Sequence, residues 1–483
     1  MGYVLILFPL LMAGIAAIIT SNKIRPYILP FTAAPHLLMT ILVLMNQKSA
    51  YINSWLILDP PGKIVLLLIS TLYLICSIYA VPYLIYRKER DNRIFCICLN
   101  SFLGALTLVT WSYHLGLMWV AIEAATLITA PLIYFNHSQL SIEAMWKYLL
   151  IGSVGIALAL LGTFFLAYSS LHAGLEATLL YTTLIQDAPN LSKVWFHAAF
   201  AILLIGYGTK MGLAPMHTWK PDAYGESPGV VGAIFASCTT SCAFLAFLRI
   251  YHIGYAAGEH SYMSNQLIFM GLLSMSVAAI FMIRQRDIKR MLAYSSIEHM
   301  GILVLGLGIG GPALFGTMLH IITNGLTKGV MFLSAGNIHR AYGTKSALQI
   351  SGALKTLPVS GALFLSGFFA ITGTPLFGPF VSAFAIINGI FTSGKIITGF
   401  LFILLLMIIF VGMGATVLNV IQGAVPEQVR KNKTFRDSLS TSLPMLILMG
   451  LVVMVGINIP EPLNNLLNDS VRFILGENNF SIK

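Results

Sequence analysis

GYGTKMGLAPMHTWKPDAYGESP, residues 206–228, follows a long apolar run and then carries Lys210, Pro215, His217, Lys220, Pro221, Asp222 and Glu226. A charged side chain deep in a bilayer costs about 2.5–3.5 kcal/mol on insertion scales. A proline inside a helix removes a backbone donor and clashes with the preceding turn. Non-helical backbone at membrane depth is tolerated only inside protein or along a wet cavity. If the chain around this stretch lies in a membrane, the stretch therefore marks a helix interrupted within a protein interior.

Composition makes that condition firm. The 483 residues are 57% hydrophobic and only 9% charged, with mean hydropathy +0.84, against about a quarter charged in an ordinary soluble domain. The chain reads as an all-α, polytopic membrane protein. Its net charge of +11 lies in short loops between apolar runs, so topology explains it better than nucleic acid does. Tyr3 to Thr20 has no basic residue before it and no small-residue cleavage site after it, and reads as a retained span. Cys76, Cys96, Cys98, Cys238 and Cys242 form no CxxC pair, which leaves zinc, iron–sulfur and haem ligation without support. GxxxxGK[ST], HExxH and GxSxG are absent, and GLGIGG at 306–311 is apolar and embedded, unlike a dinucleotide loop.

Read on a scale of roughly 20 apolar residues per span, the sequence gives about fourteen candidates. They fall near 3–20, 27–45, 63–86, 94–112, 115–135, 146–170, 194–214, 228–251, 265–283, 291–309, 312–338, 356–391, 396–421 and 439–458. The seventh is interrupted at Pro215 and Pro221. The twelfth is too long for one straight span and is interrupted at Pro375 and Pro379. One broken helix in each half suggests a transporter built from internal repeats.

Basic residues set the orientation. Lys23 and Arg25 follow span 1, and Arg87, Lys88, Arg90 and Arg93 follow span 3. Arg284, Arg286, Lys289 and Arg290 follow span 9, and Arg340, Lys345 and Lys355 follow span 11. Arg430, Lys431, Lys433 and Arg436 follow span 13. The alternate loops hold few: Lys48, Lys63, Lys193 and Lys395. The positive-inside rule then places odd loops in the cytoplasm and both termini outside.

Few titratable residues fall inside spans. Glu123 sits well within span 5, and Lys210 within span 7. A Lys–Glu pair that separates and re-forms changes how tightly the lysine holds its proton; the competing reading is a static ion pair, a poor source of stability. His320, Asn324 and Lys328, spaced by four, share one face of span 11. Imidazole and amine there suit a proton path, although a packing role for His320 alone is an equal alternative. Ser295, Ser296, Glu298 and His299 continue a basic membrane-surface cluster into span 10, where an interfacial ion pair is the competing reading. Glu143 and Lys147 form a helical (i, i+4) pair that says little about function.

WVAIEAATL, EAMWKYLLIGSVGIALALLGT, GYGTKMGLAPMHTWKPDA, DIKRMLAYSSIEHMGI and TNGLTKGVMFLSAGNI, in this order, resemble the antiporter-like proton-translocating membrane subunits. That family includes large membrane-arm subunits of respiratory complex I, subunits of Mrp-type antiporters and membrane subunits of energy-converting hydrogenases. The stretches look most like component F of hydrogenase-4-type complexes. The resemblance implies about fourteen helices, with two inverted five-helix repeats and broken helices 7 and 12. The corresponding divisions are 1–93 for helices 1–3, 94–252 for the first repeat, 265–421 for the second, and 422–483 for helix 14 and a tail. It implies that Glu123 matches the family's helix 5 glutamate, Lys210 its partner on helix 7, and Lys328 the central helix 11 lysine, with His320 in the same motif. His217, Glu298 and His299 join these as relay candidates, with Asp222 as a feeder. No cofactor or metal is implied.

The sequence also departs from the family pattern. Ser241 stands where many relatives carry a titratable group on helix 8, and Ala383 where many carry a lysine or glutamate on broken helix 12. Tyr224, Asn324 and Lys220 are also unlike the usual residues. The expected function is a proton-translocating subunit of a multisubunit complex in a prokaryotic inner membrane. Its partners would be other membrane subunits, with NADH/quinone- or hydrogenase-type redox chemistry residing in them. The rival readings are a cation/proton antiporter or ion-powered uptake subunit without a redox partner, and a non-transporting anchor.

Overall fold

A segment that buries apolar side chains in lipid must bond its own backbone, and helices do so within one segment. The computed structural model describes residues 1–46, 50–87, 89–431 and 435–477. Lys48, Lys88 and Lys433, used above for topology, lie outside the described residues. The described helices are α1 (Gly2–Ile18), α2 (Ile28–Met45), α3 (Pro60–Tyr86), α4 (Arg93–Trp111), α5 (Leu115–Ile133), α6 (Gln139–His172), α7 (Tyr181–Asp187), α8 (Lys193–Met211), α9 (Trp219–Glu226), α10 (Gly229–Ile234), α11 (Thr240–Ala256), α12 (His260–Met282), α13 (Ile288–Ile309), α14 (Gly311–Tyr342), α15 (Ala353–Thr356), α16 (Pro358–Ile371), α17 (Gly378–Thr392), α18 (Ile396–Ile421), α19 (Glu427–Lys431), α20 (Leu439–Ile457) and α21 (Glu461–Leu475). A short antiparallel hairpin, Tyr51–Asn53 with Leu56–Ile57, precedes α3.

Eleven of the described helical segments are long and apolar enough to cross a membrane, counting Gly229–Ala256 as one. Gly2–Ile18, Pro358–Ile371 and Gly378–Thr392 are shorter apolar helices. Burial sorts them into layers. In their most apolar 18-residue stretches, Gly229–Ala256 and α13 have 94% of residues buried, whereas α18 has 28%. On α18, Ile397, Phe400, Met407 and Val411 face outward, as side chains that meet lipid tails do. α14 is buried nearly throughout, with His320 and Lys328 wholly enclosed. The helices α13 and α14, which carry titratable side chains, are therefore central, and the most apolar span, α18, is peripheral.

Two interruptions shape the interior. α8 ends at Gly212, whose φ of +78° is left-handed, a backbone that glycine adopts without a Cβ penalty. A Cβ there would also sit 2.5 Å from the Lys220 side chain. The freed end of α8 is then satisfied by side chains from beyond the break. Trp219 Nε1 donates to Thr209 O at 2.9 Å, and Lys220 Nζ donates to Met211 O at 2.6 Å. The break spans residues 212–218 and includes Pro215; Pro221 falls in the first turn of α9, where a missing N–H leaves no hydrogen bond unmade. The second interruption spans 372–377 between α16 and α17, with Gly373 and Leu376 at positive φ. Pro375 lies in it, while Pro379 occupies the first turn of α17. A π-helical turn, Phe235–Thr239, lies between α10 and α11, and Ser237 Oγ donates to Gly325 O of α14 at 2.7 Å.

At one end of the bundle, Asp59 caps α3 by accepting from Gly62 N. It also receives both arms of the Arg249 guanidinium from α11, at 2.9 and 3.0 Å. Arg249 donates as well to the carbonyls of Val109, Thr110 and Ser112 at the end of α4. Both side chains are fully enclosed. Removing one member of such a pair strands a buried charge and costs about 3–5 kcal/mol. Arg249→Met is accordingly expected to lower the thermal midpoint of the detergent-purified protein sharply, and Lys355→Met to leave it nearly unchanged. Equal midpoints would contradict this assignment.

Candidate functional site

Glu123 lies mid-way along α5, one turn before Thr126, so both point to the same neighbours. Ser153 Oγ of α6 donates to Glu123 Oε1 at 2.9 Å. Glu123 Oε2 faces Lys210 Nζ across 3.5 Å. Lys210 also donates to Thr126 Oγ1 at 2.5 Å. The lysine is 2% exposed and the glutamate 18%, so the ammonium is enclosed while the carboxylate keeps partial access. Gly152 of α6 makes room for this, since a Cβ there would meet Lys210 Nζ at 2.9 Å. Tyr148 lies below the ammonium at 5.8 Å and bonds Thr129 at 2.8 Å.

Beyond the α8 break, Lys220 Nζ sits fully buried between Met211 O and, at 3.5 Å, Ser296 O of α13. α13 then presents Glu298 and His299, both buried. Lys328 of α14 donates to Leu292 O at 3.2 Å. His299 Nδ1 and His320 Nε2 are 2.9 Å apart, and His320 Nδ1 is 2.8 Å from Ser382 Oγ. Ser382 contacts Thr323 Oγ1 at 3.1 Å. This line joins α13, α14 and α17. Ser296 Oγ, Tyr224 OH and Asn324 Oδ1 are buried and have no hydrogen-bond partner among the described residues. Buried polar groups are nearly always paired, often with ordered water.

The structure thus brings Glu123 to Lys210, and His299 to His320. His217 stands apart in the break, beside the Phe281 ring. Asp222 is held between Lys147 at 2.8 Å and Arg290 at 2.7 Å, while Lys345 pairs with Glu226 and Asp287. The Glu143–Lys147 pair forms, at 2.5 Å, and is part of this same surface network. Ser153, Thr126 and Ser382 were not singled out from sequence. Ser382 directly precedes Ala383 in the first turns of α17. At the opposite end of the fold, Glu259, just ahead of α12, pairs with Lys193 and His197 of α8. Hydrogen bonds from those two residues hold its carboxyl below the usual range. Among the described residues no three His, Cys, Asp or Glu side chains are grouped as a metal site would group them.

Residues 112–412 fit the family described as NADH:quinone oxidoreductase/Mrp antiporter, transmembrane. The chain belongs to this family of antiporter-like membrane subunits. Among its relatives, the hydrogenase-4 component F homolog of Methylacidiphilum infernorum is 33% identical, over 87% of this chain and 94% of that one. The NADH-quinone oxidoreductase subunit N of Desulforudis audaxviator is 30% identical, over 71% and 69%. In fold, a chain of the Mrp complex from Dietzia superposes with TM-score 0.86 at 18% identity, covering 99% of this chain and 98% of that chain. A chain of an archaeal membrane-bound sulfane sulfur reductase gives 0.85 at 20% identity, covering 98% and 97%.

The Glu123–Lys210 contact generates a stability prediction. Glu123→Gln and Lys210→Met each leave one buried charge unmatched, whereas the double variant leaves none. The double variant is expected to be more stable than the sum of the singles by about 0.5–3 kcal/mol, read from thermal or denaturant unfolding in detergent. Simple additivity would show that the two side chains do not interact.

Proposed function

We propose that this chain is a proton-translocating subunit of a multisubunit complex in a prokaryotic inner membrane, driven by a partner module. The observation that carries the reading is the Lys210 ammonium, enclosed yet within 3.5 Å of a single, partly accessible carboxylate. A buried ion pair is weak evidence of stability, so a pair retained at membrane depth is a functional candidate. In this reading protons reach Glu123 and Lys210 from the basic end, where Asp222 and His217 lie. They continue by way of Lys220, Ser296 and Tyr224 toward Glu298 and Lys328, with water completing the unpaired positions. The His299–His320–Ser382 line then extends the route to the second interrupted helix.

The proposed architecture has about fourteen spans in two inverted repeats, 94–252 and 265–421, flanked by residues 1–93 and 422–483. Grouping α8 with α9, and α16 with α17, as two broken helices supports that number. The basic loops would face the cytoplasm and both termini the outside. The driving reaction, of quinone or hydrogenase type, would belong to partner subunits, as suggested by the names of the relatives.

A specific observation also favours the rival reading, a coupling or anchoring subunit without transport: Ser241 and Ala383 supply no titratable group. Ser382 answers part of that objection, because its hydroxyl reaches His320 directly. One experiment separates the two readings. The complete complex is reconstituted in vesicles with Glu123→Ala, Lys210→Ala or Lys328→Ala, and proton flux is followed during turnover. Normal assembly with flux reduced by tenfold or more, the order expected for loss of a relay group worth about 1.4 kcal/mol or more, is the expected result. Unchanged flux in all three would reject transport through these residues.

A further inference from the structure

The end of α3 reads Tyr79, Tyr83, Tyr86, Arg87, and the end of α14 reads Gly336, His339, Arg340, Gly343. Each set follows helical spacing and forms one face. The two faces line a common cavity of about 310 Å³, which Lys289 of α13 also lines. Its charge is unbalanced. Glu89 at the rim is held ionised, below the usual carboxylate range, by its own backbone N–H and by Arg87, its ion-pair partner. Asp287 and Glu226, the acids closest to Lys289, are taken up by Lys345. Lys289 itself is 1% exposed and donates to a neutral carbonyl, Ser227 O. Among the described residues, no carboxylate lies within ion-pair distance of Lys289 or Arg340.

Arg340 links this cavity to a second space. Its guanidinium packs over the Tyr86 ring at 3.6 Å and the Phe435 ring at 4.1 Å, and its Nε has no hydrogen-bond partner among the described residues. Tyr86 and Arg340 also line a groove of about 700 Å³ that runs along α3 past Ile85, Val81 and Ile78, against Pro30 and Thr441. From Tyr86 to Ile78 is about 12 Å of helix. Ile78, Tyr86 and Tyr27 are exposed on the bundle's outer surface. Tyrosines at this level mark a membrane–water interface.

We propose that the cavity and groove together bind one anionic phospholipid, its phosphate in the cavity against Arg340 and Lys289 and an acyl chain along Ile85 and Ile78. Charge complementarity selects the head, since a planar guanidinium suits phosphate oxygens, and basic pockets between transmembrane helices take anionic head groups. The adjoining apolar groove selects an amphiphile. A free phosphate ion would fill only the cavity, and a carboxylate from a partner subunit would leave the groove open.

The test uses the full-length protein in nanodiscs of equal phosphatidylglycerol and phosphatidylcholine, released into detergent and weighed by native mass spectrometry. The expected result is one retained phosphatidylglycerol and no comparable phosphatidylcholine. Arg340→Gln should lower retention about fivefold, the order of one basic side chain's contribution near an anionic surface. Ile78→Trp and Ile85→Trp, which crowd the groove without touching the charges, should lower it as well, and Lys355→Gln should not. These groove variants also stand in for Arg340→Gln should that variant not stay monodisperse. Equal retention of the two lipids, or retention untouched by head and groove variants, would overturn the proposal. Displacement by millimolar inorganic phosphate would also overturn it, in favour of a free-anion site.

Discussion

Hydrocarbon offers no hydrogen bonds, and the interior of this protein is organised around that fact. When α8 stops inside the bundle, its last carbonyls need donors that lipid cannot give. Trp219 and Lys220 supply them by reaching back across the break. The same requirement fixes where the break can lie: in the buried middle layer, against α13 and α14, where Lys220 also approaches Ser296 O. The polar surroundings of Lys210 follow from this. Once the backbone is open and internally satisfied, an ammonium beside it has hydroxyls and a carboxylate to meet.

The two halves of the polar interior are built differently. Around Lys210 the partners are one charge and several hydroxyls, on α5, α6 and α8. Around Lys328 they are a backbone carbonyl, a buried glutamate and paired imidazoles, on α13, α14 and α17. The first half holds a close ion pair; the second spreads its polarity along a line of side chains about a hydrogen bond apart. Lys220 stands between them and belongs to neither motif.

Much of this was legible in the sequence, for a simple reason. In a chain with 9% charged residues, an isolated Glu123 or Lys210 inside an apolar run stands out, and few partners compete for it. Proline was read less finely. Pro215 and Pro375 fall in the interruptions, but Pro221 and Pro379 open the helices that follow, a position where proline is harmless and the sequence alone looks the same. The contact between His320 and Ser382 joins residues 62 apart, and no periodicity within one helix can signal a meeting between two. α21 is not legible as a span either. Its EPLNNLLNDSVRFIL carries a proline start and apolar residues at helical spacing, but its polar face kept it from registering as a span.

The clamp between Asp59 and Arg249 has a consequence for how the protein is made. The two residues are 190 positions apart, so at ribosomal speeds of roughly 5–20 residues per second the aspartate emerges about 10–40 s before its guanidinium. For that interval α3 and the end of α4 are present without the side chain that joins them. Insertion of the first helices and their final docking are therefore separate events in time. The membrane must hold an early, loosely joined set of helices until α11 arrives to lock it.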